Sequence, residues 1–257
     1  MVIKVCGLSD IGKRREINED SYGIVGFENG DTKGVCVLAD GMGGHNAGEV
    51  ASSIVVECII GEMEEALSET DEKVISNNIA AAIDYANATV YERSLKNREQ
   101  AGMGTTLVVS YVFGNQVIIA NIGDSRAYVV SDKEISRITV DHSVVEELVQ
   151  RGAISRSEAK VHPDKNIITR AVGTDAYVDA DFYDYTASEG ETIILCSDGL
   201  TEMVDEEKIQ ALITENESVE NAVTALVEEA NNNGGVDNIT VVAFRFEKED
   251  NSDDADR

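Results

Sequence analysis

Five aspartates stand at the edges of apolar runs. Asp40 closes VCVLA and is followed by Gly-Met-Gly-Gly, Asp124 follows QVIIANIG, and Asp198 follows TIILCS and precedes Gly199. Asp237 stands just before NITVV, and Asp20 lies in an early NED triplet. Taken singly, an aspartate after a strand is a turn former. Four at strand ends, two of them in Asp-Gly pairs, invite a second reading, because an ionised carboxylate beside buried chain needs a cation or strong donors. If these side chains converge, their type selects the ligand. Several carboxylates, with only three histidines and four scattered cysteines in the chain, suit Mg²⁺ or Mn²⁺ rather than zinc. Two such ions bridged by one carboxylate would hold a hydroxide against a phosphoryl oxygen and favour in-line displacement at phosphorus. The glycines after Asp40 permit close backbone approach and let a main-chain carbonyl serve as a ligand. GMGG is not a nucleotide-binding P-loop, since no Gly-Lys-Ser/Thr follows it.

The elements that would have to position these side chains are legible from hydrophobic period. Val2–Cys6 alternates as a strand, and Val35–Ala39 is a continuous apolar run expected of a strand buried on both faces. From Asn46 the period turns helical, with Ala47, Val50, Ala51, Ile54, Val55, Cys58, Ile59 and Met63 on one face and Asn46 with Glu49 as a capping pair. A second helix carries Ile75, Ile79, Ala82, Ile83, Ala86 and Val90. Residues 105–138 read as consecutive strands, with Gly114-Asn115 as a two-residue hairpin turn. Ser143 and Glu146 predict a capping box for a helix over Val144–Arg151. An irregular insert over about 151–171 holds the single proline, Pro163. Strands at Asp181–Thr186 and Thr192–Cys196, helices near Glu206–Ile213 and Val219–Ala230, and a last strand at Ile239–Phe246 complete the order. A parallel α/β fold alternates strand and helix regularly; this chain does not, so an antiparallel α+β layered domain over residues 1–246 is expected. Residues 247–257 read as a solvated acidic tail.

Composition narrows the function classes. Across 257 residues the formal charge is −28, which argues against binding a nucleic-acid backbone or an anionic membrane surface. No stretch approaches the ~20 apolar residues needed to span a bilayer, and the N-terminus does not read as a secretion signal. Cys6, Cys36, Cys58 and Cys196 are widely spaced without a CxxC pair, as reduced thiols would be. The Asn-X-Ser/Thr triplets at Asn87, Asn216 and Asn238 therefore carry no weight, and a cytoplasmic protein is expected.

Seven motifs then occur in one order: RxxNED at Arg15–Asp20, DGMGGH at Asp40–His45, GTT at Gly104–Thr106, GDSRAY at Gly123–Tyr128, DHS at Asp141–Ser143, SDGL at Ser197–Leu200 and DNIT at Asp237–Thr240. Together they resemble the bacterial branch of the metal-dependent (PPM, type 2C) serine/threonine protein phosphatases. The resemblance implies a four-layer αββα sandwich of two antiparallel β-sheets flanked by helix pairs, with a flap insert and a two-metal centre at one end. It implies Mg²⁺ or Mn²⁺ as cofactor, with Asp40 bridging both ions. Asp198 and Asp237 would complete the first site, and the Gly41 carbonyl with Asp20 the second. Asp124 with Asp198 would form a third, weaker site, and Glu19 would lie in the outer shell. Arg15 matches the arginine that holds the substrate phosphate, for which a guanidinium fork is well shaped; Arg14 or Lys13 are the alternatives. Arg126 is expected to be structural.

The same resemblance implies hydrolysis of phosphoserine and phosphothreonine in proteins by direct attack of a metal-bridging hydroxide, with no phospho-enzyme. Animal-type members carry His after the Asp-Gly as proposed general acid. Met42 stands there and cannot donate a proton, leaving His45 or a metal-bound water as the acid. His142 and His162 are expected to be structural. The insert matches the family's flap; its five bases against two acids between Arg151 and Arg170 suit either an exposed loop or a lid that receives phosphoprotein. Partners implied are phosphorylated proteins, including a Ser/Thr protein kinase, for a monomeric enzyme. A catalytically weak phosphoprotein-binding module and a phosphatase of a small phosphorylated metabolite are the alternatives.

Overall fold

The computed structural model describes residues 1–28, 31–43 and 47–248. Two antiparallel sheets are stacked on each other. One has the strand order β1 (Val2–Asp10), β11 (Ile239–Glu247), β10 (Thr192–Cys196), β7 (Arg126–Val130), β8 (Ile135–Arg137). The other runs β2 (Asp20–Gly26), β3 (Lys33–Met42), β5 (Leu107–Phe113), β6 (Gln116–Ile122), β9 (Asp181–Thr186), with β4 (Gly104–Thr105) beside the end of β3. The period-2 rule explains why the central strands are apolar throughout. Along β3, Cys36 and Leu38 enter the core between the sheets, while Val35, Val37 and Ala39 meet the helices outside. Along β10, Ile193 and Leu195 point inward and Ile194 and Cys196 outward. Phe244 and Phe246 of β11 fill the middle layer.

The outer layers are the amphipathic helices. α1 (Gly48–Glu65) and α2 (Glu72–Lys96) cover the second sheet through Val55, Ile59, Met63, Ile75, Ile79 and Ile83. α6 (Glu206–Glu215) and α7 (Val219–Asn232) cover the first through Ile209, Ile213, Val223 and Leu226. Asp71, Asp205 and Ser218 cap α2, α6 and α7 by accepting first-turn N–H groups. Among the described residues no helix is long and apolar enough to cross a membrane, and the four cysteines are free thiols.

Four local differences from expectation have physical causes. β2 was not anticipated: Gly23 and Gly26 interrupt its alternation, and Gly23 is needed because Val56 and Ile60 of α1 press against its backbone. Asn46 lies outside the described residues; α1 begins at Gly48 with no side-chain N-cap, and Glu19, from the loop between β1 and β2, accepts its first N–H. The Ser143–Glu146 box is half formed before α3 (Val144–Gln150). Ser143 accepts the Glu146 N–H, but the Glu146 carboxylate turns inward to Arg137 and Arg156. Finally, the insert is not wholly irregular, since a capping box of Ser155 and Glu158 starts the short helix α4 (Arg156–Ala159).

Candidate metal centre

The five aspartates meet at one rim of the sandwich. Asp20 and Asp40 stand directly opposite each other in the β2–β3 pair. Asp124 follows β6, Asp198 opens the short helix α5 (Asp198–Thr201) after β10, and Asp237 immediately precedes β11. Their convergence is written in the electrostatics of Asp40. Burial, then the charges of Asp20, Asp198, Asp124 and Asp237, hold its carboxyl well above the usual range. Asp198 is raised in the same way by burial, Asp124 and Asp237. Asp20 is pushed up to about 6 by burial, with Asp237 adding to the shift and the Thr240 and Ser197 hydroxyls opposing it. Asp124 is pushed up to about 6 by burial and Asp141, with Arg126 opposing. Like charges brought this close are costly without a counter-ion.

Threonine and glycine side positions fix the rim. Thr106 Oγ1 accepts the Asp40 N–H at 2.9 Å and lies 2.8 Å from Ser125 Oγ, tying Asp40 to the turn that carries Asp124. Thr105 Oγ1 donates to the Asp40 carbonyl at 2.8 Å, as does the Thr106 N–H at 2.9 Å. A Cβ on Gly41 would collide with the carbonyls of Gly48 and Glu19, and one on Gly199 with that of Asn238. Both Asp-Gly glycines are therefore close-approach positions, not merely turn formers. The Gly123–His142 pair clamps the Asp124 turn: Gly123 N–H donates to His142 Nδ1 at 3.1 Å and His142 N–H to the Gly123 carbonyl at 2.9 Å. His142 is thus a positioning element for Asp124 and not only for the start of α3. His162 accepts the Asp164 N–H within the insert.

Arg15 faces the rim. Its Nη2 donates to Asp237 Oδ2 at 2.7 Å and its Nη1 lies 3.5 Å from Glu19 Oε2. Partial burial works against its charge, and Asp237, Glu19 and Asp40 outweigh it, so its proton is held more firmly than usual. Lys13 and Arg14 are exposed. The loop is held by Asn238, which is buried: its Nδ2 donates to the carbonyls of Ile11 and Ile17, both at 3.0 Å, and its Oδ1 accepts the Glu19 N–H at 2.9 Å. Arg126 forks onto Asp141 with Nε and Nη2. Met42 is half-buried at the end of β3, and His45 lies outside the described residues.

A cavity of about 1100 Å³ adjoins the rim between the flap, β8 and α5, with Asp124, Asp198, Arg137, Lys160 and Glu202 among its walls. Four of the five flap bases pair with carboxylates from the elements around the insert. Arg151 pairs with Glu147, Arg156 with Glu146, Lys165 with Glu202 and Arg170 with Asp181.

The donor set fits a hard divalent cation. It offers only oxygen ligands, several of them carboxylates that raise one another, and the buried Asp20 Oδ1 has no hydrogen-bond partner. Among the described residues no three Asp, Glu, His or Cys side chains close on one ion-sized point, so the aspartates share a rim without forming a closed cage. Sequence reasoning identified the carboxylates but gave no role to Thr105, Thr106, Ser197, Asn238 or Thr240. Their membership in GTT, SDGL and DNIT was the available signal.

Two stacked antiparallel sheets between helix pairs, with aspartates meeting at one rim, define the class: a hydrolase of the protein-phosphatase type. The family model described as Protein phosphatase 2C matches residues 7–232. The serine/threonine phosphatase stp of Listeria monocytogenes serotype 4b is 37% identical over 234 residues, covering 91% of this chain and 92% of that protein. Protein phosphatase PhpP of Streptococcus pneumoniae serotype 2 is 34% identical over 244 residues, covering 95% and 97%. Among solved structures, serine/threonine phosphatase Stp1 from Staphylococcus aureus superposes with a TM-score of 0.87 at 36% identity, covering 96% of each chain. The catalytic domain of PstP, solved in complex with two manganese ions, gives 0.83 at 33% identity, covering 96% and 99%. The chain belongs to the protein phosphatase 2C family, and its class is that of a serine/threonine protein phosphatase.

Proposed function

We propose that this chain removes phosphate from phosphoserine and phosphothreonine in proteins, using Mg²⁺ or Mn²⁺. Asp40, Asp198 and Asp237 would hold one ion, and Asp40, Asp20 and the Gly41 carbonyl the other, with Asp124 and Asp198 serving a third, weaker site. When bound, such ions activate water and neutralise phosphoryl oxygens. The observation that carries this reading is the convergence of four further carboxylates on Asp40. Arg15, held at the rim by Asp237 and Glu19 and still partly exposed, orients the phosphate. Asn238 and Glu19 keep that loop in place. The substrate chain runs through the cavity between the rim and the flap. Met42 cannot protonate the leaving alkoxide, so His45 or a bound water does so, a role typically worth ~10²–10⁴ in rate.

The reading extends to a single catalytic domain over 1–246, a monomer in the cytoplasm, acting on phosphoproteins that include a Ser/Thr protein kinase. It is tested by turnover of p-nitrophenyl phosphate with and without Mn²⁺, in the wild type and in Asp198→Asn. The expected result is Mn²⁺-dependent activity that falls at least ~10²-fold in the variant, with the folded state retained by circular dichroism. A near-normal rate in Asp198→Asn removes that residue from the chemistry, and no metal-dependent turnover in the wild type favours a binding module. Rates on phosphopeptides set against free phosphorylated metabolites separate the protein substrate from the small one.

A further inference from the structure

Two motif residues left without a role sit against the most buried of the rim carboxylates. Asp20 Oδ2 accepts from Thr240 Oγ1 at 2.6 Å and from Ser197 Oγ at 2.9 Å, whereas Oδ1 has no partner. Ser197 and Thr240 are fully buried. Proton accounting around them leaves one arrangement. Ser197 Oγ accepts the Thr240 N–H at 3.0 Å, and its own proton faces two acceptors. The Asp20 carboxylate at 2.9 Å is nearer and charged while the Asn238 carbonyl lies at 3.5 Å, so the proton goes to Asp20. Thr240 Oγ1 lies 2.7 Å from Ser9 Oγ, and Ser9 Oγ accepts from Asn18 Nδ2 at 2.8 Å. An amide nitrogen only donates, so Ser9 passes its proton to Thr240 and Thr240 passes its own to Asp20. Asn18 closes the circuit by accepting the Asp20 N–H on its Oδ1 at 3.2 Å. Every hydroxyl proton in the chain Asn18–Ser9–Thr240 is directed at the carboxylate, and both arms end on the same oxygen.

We propose that Ser197 and Thr240 are positioning residues for the metal centre: they saturate Oδ2 of Asp20 and so reserve Oδ1 for the ion. This rests on the reading of Asp20 as a ligand. An unanchored carboxylate could turn and offer either oxygen; here the pair of donors fixes the plane and leaves one oxygen bare. Outer partners of ligating carboxylates commonly tune metal affinity in this way.

The test is calorimetric titration of the metal-free protein with Mn²⁺ alone, in the wild type, Asp20→Asn, Thr240→Val, Thr240→Ser and Ser197→Ala, with metal-free melting alongside. Thr240→Val keeps the shape and removes the donor. It should weaken the Asp20-dependent binding event by about 10- to 100-fold, and Thr240→Ser should restore it. Ser197→Ala should act in the same direction, and it carries the test if Thr240→Val does not fold. Wild-type Mn²⁺ affinity in Thr240→Val or Ser197→Ala overturns the inference, as does a Thr240→Ser that binds as weakly as Thr240→Val. If Asp20→Asn leaves Mn²⁺ binding unchanged, the assignment of Asp20 itself fails, a result separable from the first two.

Discussion

Without a cation, the rim carboxylates should make this protein more stable in mild acid than at neutral pH. Asp20 shows the size of the effect. Its carboxyl is pushed up to about 6 in the folded chain, against ~3.9 when unfolded. At pH 7.5 it is ionised in both states, but only in the folded one is its charge buried and set beside Asp237. As the pH falls through 6 the folded chain takes up a proton that the unfolded chain does not yet bind, so stability rises. By pH 5 this amounts to about 1.4 kcal/mol from Asp20, or about 3–6 °C in a domain of this size. Asp124, Asp40 and Asp198 act in the same direction. His142 works against them, because burial keeps its ring neutral and holds its pKa down; acid therefore favours the unfolded state at that residue. Asp20 is isolated by melting metal-free wild type and Asp20→Asn in parallel between pH 7.5 and pH 5. The variant should gain relative to the wild type at pH 7.5, and that advantage should shrink by about 3–6 °C on acidification. A difference that stays constant or grows would refute the reasoning.

Arg15→Ala should raise KM for phosphopeptides by more than it lowers kcat in steady-state assays; an unchanged KM would move the phosphate contact to Arg14 or Lys13. Asn238→Ala leaves the carbonyls of Ile11 and Ile17 and the Glu19 N–H without their partner. It should cost about 3 kcal/mol in denaturant unfolding and raise KM in the same direction as Arg15→Ala. Gly41→Ala forces a methyl into the carbonyls of Gly48 and Glu19; it should cost about 1–3 kcal/mol and weaken Mn²⁺ binding measured by titration.

The layers were legible because buried strands and amphipathic helices leave different periods, and β3, β10 and β11 are apolar on both faces for the reason expected. β2 was not, since Gly23 makes room for α1 and Gly26 takes a φ of +83° at the turn towards β3, and neither obeys a period. The rim carboxylates were legible as residue types at strand ends. Their company was not. Whether a serine or threonine donates to a carboxylate 177 or 220 positions away depends on strand register, which local sequence does not encode. The flap charges mislead for a related reason: Glu146, expected to cap its own helix, instead neutralises Arg137 and Arg156 from a distance.

Asp20, Asp40 and Asp124 hang from one sheet, while Asp198 and Asp237 hang from the other. The spacing of the rim carboxylates is therefore set by the thickness of the layer between them, where Leu38 and Phe244 are packed and Phe27 stacks on Phe244 at 6.2 Å. A substitution that swells or thins that layer detunes the rim without touching it. Conversely, an ion held as proposed, by carboxylates from both sheets, would rivet one slab to the other.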